Sequence, residues 1–183
     1  MPAARTLTTR VLLICAAIGV ASGLLATVAG YLSPVVFAAV PVLYGLVLGS
    51  HVIPGIIAQS LLRLPWVALL THLFAALVAS AFAPQWIARY LGTALLIGGL
   101  QEGIAALTRY RSWQTWRYFI SAVIVGGALA VVMGFALNAA ALPLWAVITL
   151  YVVLILGPLL WTWVGLRIGI ALRNAGVART VRR

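Results

Sequence analysis

Long apolar blocks make up most of this chain, and short stretches with proline, arginine or tryptophan separate them. A membrane-spanning helix needs about 20 predominantly apolar residues, and the blocks approach or reach that length. The pattern therefore predicts an all-α integral membrane protein with six transmembrane helices. These helices cover residues 11–30, 44–62, 65–82, 90–108, 116–137 and 144–172 of a single membrane domain, residues 1–183.

The segment Tyr31–Leu43, between the first two predicted helices, differs from the blocks because it carries two prolines, Pro34 and Pro41. Proline has no backbone N–H, and its ring clashes with the preceding turn of a helix. We therefore predict a loop or a re-entrant cap here. The apolar run before it, Val11–Gly30, exceeds the roughly 7–15 residues of a signal-peptide core, so we predict a retained helix.

Composition also points to lipid as the solvent. Of the 183 residues, 65% are hydrophobic and only 7% are charged. A soluble domain of this size carries far more charge on its surface. The net charge of +11 comes from 12 basic residues, all of them arginines, and one acid. The arginines lie between apolar blocks rather than in one stripe, which favours membrane orientation over nucleic-acid binding.

The positions of the arginines predict the topology. With the N-terminus in the cytoplasm, eleven arginines lie on the cytoplasmic side and only Arg89 lies outside. Two spans within residues 31–62 would change this division to nine against three. Both termini are therefore predicted to be cytoplasmic. The arginine-rich tail, Arg173–Arg183, is predicted to lie near anionic lipid.

Glu102 and His72 are ionisable residues inside predicted helices, and they are candidates for a ligand or ion site. Glu102, the only acid of the chain, and His72 lie about 9–10 Å from the cytoplasmic ends of consecutive helices. A charge in the membrane costs about 2.5–3.5 kcal/mol on insertion scales, so it is usually paired or functional. Alternatively, Glu102 pairs with Arg109 or another arginine, and His72 is a neutral hydrogen-bonding group between helices.

The second predicted helix carries a polar stripe. Tyr44, His51 and Gln59 fall within an arc of about 80° at 3.6 residues per turn. Together with Glu102 and His72, these side chains form a predicted substrate-binding set. It suits a small, polar, nitrogen-rich ligand, with the carboxylate accepting a hydrogen bond from an amine.

The first helix carries small residues at four-residue spacing, Ala17 with Ala21 and Gly19 with Gly23. Such spacing allows another helix to approach closely, and this packing drives helix association in lipid. The four residues are a candidate docking surface for another subunit. Packing within the chain is the alternative.

The sequence contains no signal for catalysis. It has no second carboxylate for acid and base chemistry, no zinc-type cluster of cysteine and histidine, and no lysine for a phosphate-binding loop. We therefore predict that the chain is not an enzyme and has no cofactor. If it takes part in ATP-driven transport, another chain hydrolyses the ATP.

Between Leu43 and Trp113 the sequence resembles the YkoE family of energy-coupling-factor transporters. The stretch Leu62–Leu69, Leu-Arg-Leu-Pro-Trp-Val-Ala-Leu, is similar to that family's Ile-Arg-Lys-Pro-Gly-Ala-Ala signature. The residues Gly98–Glu102, followed by Thr108-Arg109-Tyr110-Arg111 and Trp113, resemble its Gln-Gly-Leu-Gly-Ala-Glu helix, which ends in Arg-Tyr-Arg-Arg-Trp. In this register the family's glutamate falls on Glu102.

The resemblance implies a six-helix substrate-binding subunit, the S component, in a bacterial-type cell membrane. Such a subunit captures thiamine or its hydroxymethylpyrimidine precursor from outside. It works with a transmembrane coupling subunit and two ATPase subunits. In this interpretation the small residues of the first helix dock onto the coupling subunit, and Tyr31–Leu43 acts as a gate.

The departures from the family concern charge. The family's Lys-Pro-Gly is Leu64-Pro65-Trp66 here, and two of its acidic positions are His72 and Ala79. One carboxylate instead of three suits the thiazolium cation of thiamine poorly. We therefore predict a neutral aminopyrimidine whose amino group contacts Glu102, so that Glu102→Gln abolishes capture without affecting folding.

Two other functions remain open at this point. A proton-coupled exporter would use Glu102 as its titrating group, although small exporters of that kind have shorter chains. A membrane assembly subunit without transport activity would use the polar residues only to satisfy one another.

Overall fold

The computed structural model describes residues 7–137 and 142–177, which form helices and turns with no strand among them. The prediction of an all-helical chain is thus confirmed for this part. The α-helices are α1 (Thr9–Ala39), α2 (Tyr44–Gly49), α3 (Ile53–Leu62), α4 (Val67–Phe82), α5 (Ile87–Leu107), α6 (Thr115–Ala136) and α7 (Leu144–Asn174). Short 3₁₀ turns, Pro41–Leu43, Ser50–Val52 and Pro84–Trp86, precede α2, α3 and α5.

Five stretches are long and apolar enough to cross a membrane, as in a multi-pass membrane protein. They are Thr9–Ala39, Pro41–Leu62, Pro84–Leu107, Thr115–Ala136 and Leu144–Asn174. Helix α4 is apolar but has only 16 residues, or about 24 Å at 1.5 Å per residue, against about 30 Å of hydrocarbon. Six spans with cytoplasmic termini therefore stay a prediction, and residues 1–6 and 178–183 of the two ends lie outside the described residues.

The prediction of a loop or a re-entrant cap over Tyr31–Leu43 was wrong. Helix α1 continues through Pro34 to Ala39, and Pro41–Leu43 forms a 3₁₀ turn. In lipid no water is available for the backbone groups that an open loop would expose, so one lost helical hydrogen bond is the smaller cost. The helix ends where Pro41 disfavours helical geometry at the residue before it, and Val40 has a φ of −145°.

The glycines of α1 pack within the chain. A Cβ on Gly19 would lie 2.5 Å from Cβ of Phe74, and one on Gly23 would lie 2.7 Å from the carbonyl oxygen of Ala75, both in α4. Their predicted role in docking is therefore corrected, because α4 already covers them. Ala17 and Ala21 are exposed on another face of α1 and keep the predicted docking role.

The turn between α3 and α4 contains two residues in the left-handed backbone region, Arg63 with φ 55° and Trp66 with φ 68°. A side chain with a Cβ costs about 1 kcal/mol or more in this region, whereas glycine enters it freely. Trp66 is 55% exposed, so it gains little burial within the chain in return.

We expect Trp66→Gly to be more stable than Trp66→Ala by about 1 kcal/mol, because only glycine relieves the backbone strain. Both variants remove the indole, so their comparison isolates the backbone term. Thermal unfolding of the two purified variants in the same detergent measures the difference. An alanine variant as stable as the glycine variant would contradict the argument from strain.

Candidate functional site

The chain contains a cavity of about 610 Å³, here named the Arg89 cavity, between α1, α2, α5 and α6. Its volume falls within the range of about 300–1,000 Å³ that is usual for small-molecule sites. It lies where α1 ends and α2 and α5 begin, at the end of the bundle opposite Arg63 and Arg109. This is the side that the arginine distribution predicts to be external.

The polar groups of the Arg89 cavity are few and lie on three helices. Arg89 donates a hydrogen bond to the Tyr44 hydroxyl, and Ser33 and Thr93 add two further hydroxyl groups. The remaining walls are mostly apolar and include Phe37. Arg89 is the single charged residue among the described residues of the lining. The arrangement suits a ligand with an apolar or aromatic body and a hydrogen-bond acceptor.

A second, much smaller space, here named the histidine cavity, lies deeper in the bundle. It holds about 20 Å³, room for one water molecule, and His51 and His72 both line it. Thr93 lines both this cavity and the Arg89 cavity. Arg89 and His51 also border a common crevice. Polar groups therefore continue from the Arg89 cavity inward to the two imidazoles.

His72 is held by the side chain of Gln101. The Gln101 Nε2 group donates to the Val52 carbonyl at 3.1 Å, which leaves Oε1 to accept from His72 Nε2 at 3.0 Å. A Cβ on Gly55 would overlap this Oε1 atom, so the contact requires glycine there. The sequence places Glu102 and His72 at similar depth on consecutive helices, but the residue that contacts His72 is the preceding one, Gln101.

Glu102 is 3% exposed and binds the start of α4. Its Oε1 atom accepts from the backbone N–H of Trp66 at 2.5 Å, and Oε2 accepts from that of Ala68 at 3.2 Å. A carboxylate at a helix N-terminus satisfies free N–H groups and interacts favourably with the helix dipole. The carboxylate thus has a structural task, and it is not among the described residues that line the Arg89 cavity or the histidine cavity.

Gln59 connects Glu102 with a buried arginine. Its Nε2 group donates to Glu102 Oε2 at 3.5 Å, and its Oε1 atom accepts from an Arg117 guanidinium nitrogen at 3.1 Å. Arg117 is 2% exposed and lies 4.5 Å and 4.6 Å from the ring centres of Trp113 and Tyr118. Two opposite buried charges are therefore joined by one amide. In the described chain Glu102 forms no direct pair with Arg109, the partner suggested by the sequence.

The predicted polar stripe faces α5, but at three separate places. Tyr44 contacts Arg89, His51 shares a crevice with Arg89, and Gln59 contacts Glu102. Only Tyr44 lines the Arg89 cavity. Sequence reasoning missed Gln101 as a partner of His72 and treated Arg89 only as a marker of topology. Arg89 could have been singled out from the sequence, because it is the one arginine that the predicted topology places outside.

Metal-binding groups are scarce in the described residues. No cluster of three or more histidine, cysteine, aspartate or glutamate side chains occurs among them. The two histidines of the histidine cavity are the nearest approach to such a site.

Two comparisons relate the chain to known proteins. Residues 10–128 match the model of a family described as "ABC-type cobalt transport system, permease component". A solved structure described as an S-component of an ECF transporter superimposes with a TM-score of 0.82 and 18% sequence identity, covering 94% of this chain and 89% of that one. No curated protein matches the chain by sequence. At this identity the structural match shows a shared fold.

Proposed function

Because the chain belongs to the family of permease components of ABC-type cobalt transport systems, we propose that it is the substrate-binding subunit of an energy-coupling-factor importer. The observation that carries the proposal is the Arg89 cavity, a space of ligand size in a chain with an S-component fold. The chain itself captures the substrate. A transmembrane coupling subunit and two ATPase subunits supply the energy, and the chain performs no catalysis.

The proposed substrate is a small neutral organic molecule, a pyrimidine precursor of thiamine in preference to thiamine itself. The Arg89 guanidinium repels the thiazolium cation, and no described carboxylate of the cavity offsets that charge. A neutral aminopyrimidine instead offers ring nitrogens and a hydroxyl group that accept hydrogen bonds from Arg89. The apolar walls, including Phe37, suit a flat ring.

The cobalt in the family's description fits the donor groups less well. Divalent cobalt needs several nitrogen, oxygen or sulfur ligands around one point. The described part of the chain offers two imidazoles beside a space of about 20 Å³, with no carboxylate among the residues that line it. We therefore propose an organic substrate rather than a metal ion.

The five predicted substrate-binding residues receive different roles in this proposal. Tyr44 contacts the substrate together with Arg89, and His51 and His72 support the inner wall. Gln59 holds the helices that form that wall. A ligand contact by Glu102 stays a prediction, and it would require the carboxylate to leave the backbone N–H groups of α4.

The geometry favours this function over the two alternatives. An exporter driven by protons would need Glu102 to exchange protons with water, but the carboxylate is buried and accepts from two backbone N–H groups. An assembly subunit without transport activity has no need of a cavity of about 610 Å³ with a charged group on its wall.

We expect Arg89→Gln to weaken binding of hydroxymethylpyrimidine by roughly 10–100-fold, because a charge-assisted hydrogen bond contributes about 1.5–3 kcal/mol. Calorimetric titration of the purified protein with hydroxymethylpyrimidine, thiamine and cobaltous ion measures this effect and ranks the three substrates. Arg111→Gln is the matched control, since it removes the same charge from the exposed loop at the opposite end of the bundle.

Each result of this titration has a definite meaning. Preference for hydroxymethylpyrimidine, with loss only in Arg89→Gln, supports the proposed substrate. Tight binding of cobaltous ion that Arg89→Gln leaves unchanged contradicts the organic substrate and the site. Tight binding of thiamine refutes the argument from charge but keeps the function.

A further inference from the structure

A third cavity, here named the Arg63 cavity, lies at the end of the bundle opposite the Arg89 cavity. It holds about 270 Å³ and lies where α3 ends, α6 begins and α7 approaches its last turns. Three arginines line it, Arg63, Arg167 and Arg173. The proposed transport function uses none of them.

The described part of the chain offers no counterion to the Arg63 cavity. Glu102 is the only acidic side chain in the sequence, and its carboxylate accepts from the backbone of α4. Three guanidinium groups around one space repel one another unless an anion lies between them. No acidic side chain is present among the described residues that line the cavity, so an anion from another molecule would balance this charge.

Two unpaired polar groups also mark the site. The Arg63 Nε atom is buried and has no hydrogen-bond partner among the described residues. The Tyr118 side chain lines the cavity and is 2% exposed, and its hydroxyl group likewise has no partner in the described part of the chain. Buried polar groups are normally hydrogen-bonded, so these donors indicate a missing acceptor.

We propose that the Arg63 cavity binds the phosphate group of an anionic membrane phospholipid. Basic pockets between transmembrane helices near the membrane surface bind such headgroups. Arginine forks fit phosphate oxygens with two parallel hydrogen bonds, and the Tyr118 hydroxyl adds a donor. Free phosphate offers the same chemistry, so the source of the phosphate must be decided by the surroundings of the cavity.

The surroundings favour a lipid. Trp163 is 51% exposed, and the Arg167 guanidinium lies 5.3 Å from the centre of its ring. The ring holds the arginine beside the cavity through a cation–π contact, and it is exposed on the outer face of α7. Ile170, also exposed, adds apolar lining on the same helix. A headgroup in the cavity therefore has a path for its acyl chains along α7.

Native mass spectrometry of the protein in nanodiscs tests the proposal. We expect the double variant Arg167→Gln/Arg173→Gln to retain phosphatidylglycerol at least 10-fold less than the wild type. Arg10→Gln/Arg111→Gln is the control, because it removes the same charge from that end of the bundle without touching the cavity. Phosphatidylcholine is the neutral lipid probe, and inorganic phosphate is the lipid-free probe.

Selective loss of phosphatidylglycerol in the cavity variant supports the inference. Equal retention of phosphatidylglycerol in both variants overturns the inference. Equal loss in both also overturns it, because general surface charge then accounts for the binding. Saturation by inorganic phosphate without preference for phosphatidylglycerol overturns the lipid as the source. If the double variant fails to fold, Tyr118→Phe decides: we expect a several-fold loss of phosphatidylglycerol, and unchanged retention refutes the site. None of these measurements depends on the substrate of the Arg89 cavity.

Discussion

Replacing Glu102 with glutamine is expected to lower the free energy of unfolding by about 2–4 kcal/mol and to leave substrate affinity nearly unchanged. The glutamine side chain carries no charge, so the backbone N–H groups of Trp66 and Ala68 at the start of α4 lose a charged hydrogen-bond acceptor. The substitution also removes the negative charge that faces the buried Arg117 across the Gln59 amide. Thermal unfolding in detergent, where we expect Tm to fall by about 5–15 °C, and ligand titration of the folded variant measure the two effects.

A double-mutant cycle with Arg117→Gln provides the control. If the two charges stabilise each other through Gln59, the double variant loses less stability than the two single variants together. The sequence alone led to the reverse expectation, loss of capture with intact folding. A variant Glu102→Gln that unfolds like the wild type but no longer captures hydroxymethylpyrimidine would restore that expectation and contradict the structural role.

The helices and the buried polar residues were accessible from sequence because the membrane makes both patterns strong. Apolar blocks of spanning length predict helices, although the 3₁₀ turn Ser50–Val52 divides the block 44–62 into α2 and α3. A lone acid within such a block is conspicuous, and Glu102 is indeed buried in the bundle. The family resemblance and the later family match agree on a transport subunit. The identity of the substrate depends on cavity shape, which no local pattern encodes.

The sequence did not predict correctly which neighbour each polar side chain of α5 contacts, because a shift of one residue along a helix changes the direction of the side chain. Successive residues of a helix differ by 100° in direction, so Gln101 faces His72 while Glu102 faces the start of α4. Depth along a helix, which sequence spacing predicts, does not fix which neighbour a side chain meets. Pro34 misled for a different reason, because rules from water overstate how strongly proline ends a helix in lipid.

The Arg89 cavity was beyond prediction because four helices meet there. Ser33, Tyr44 and Thr93 are separated by up to 60 positions along the chain, and none carries a charge. Arg89 was visible only as the exception to the arginine distribution. An arginine that the positive-inside rule does not require needs another reason, and the cavity supplies one.

The exposed alanines of α1 lead to the other prediction of large effect, on assembly with the coupling subunit. Ala17 and Ala21 border an apolar groove of about 450 Å³ formed with α3 and α7. Close approach of a partner helix depends on such small residues. We therefore expect Ala17→Trp/Ala21→Trp to abolish co-purification with the coupling and ATPase subunits and to abolish uptake, while hydroxymethylpyrimidine still binds the isolated chain with wild-type affinity.

The matched control for this face is Gly99→Trp. Gly99 is exposed on α5, and a Cβ added there meets no described atom within 4 Å, so the indole enters open space in the same apolar environment. Assembly and uptake should survive it. Co-purification of all subunits with the Ala17→Trp/Ala21→Trp variant would remove this face of α1 from the interface. Since α4 covers Gly19 and Gly23, the docking surface would then have to lie away from the predicted small residues of α1.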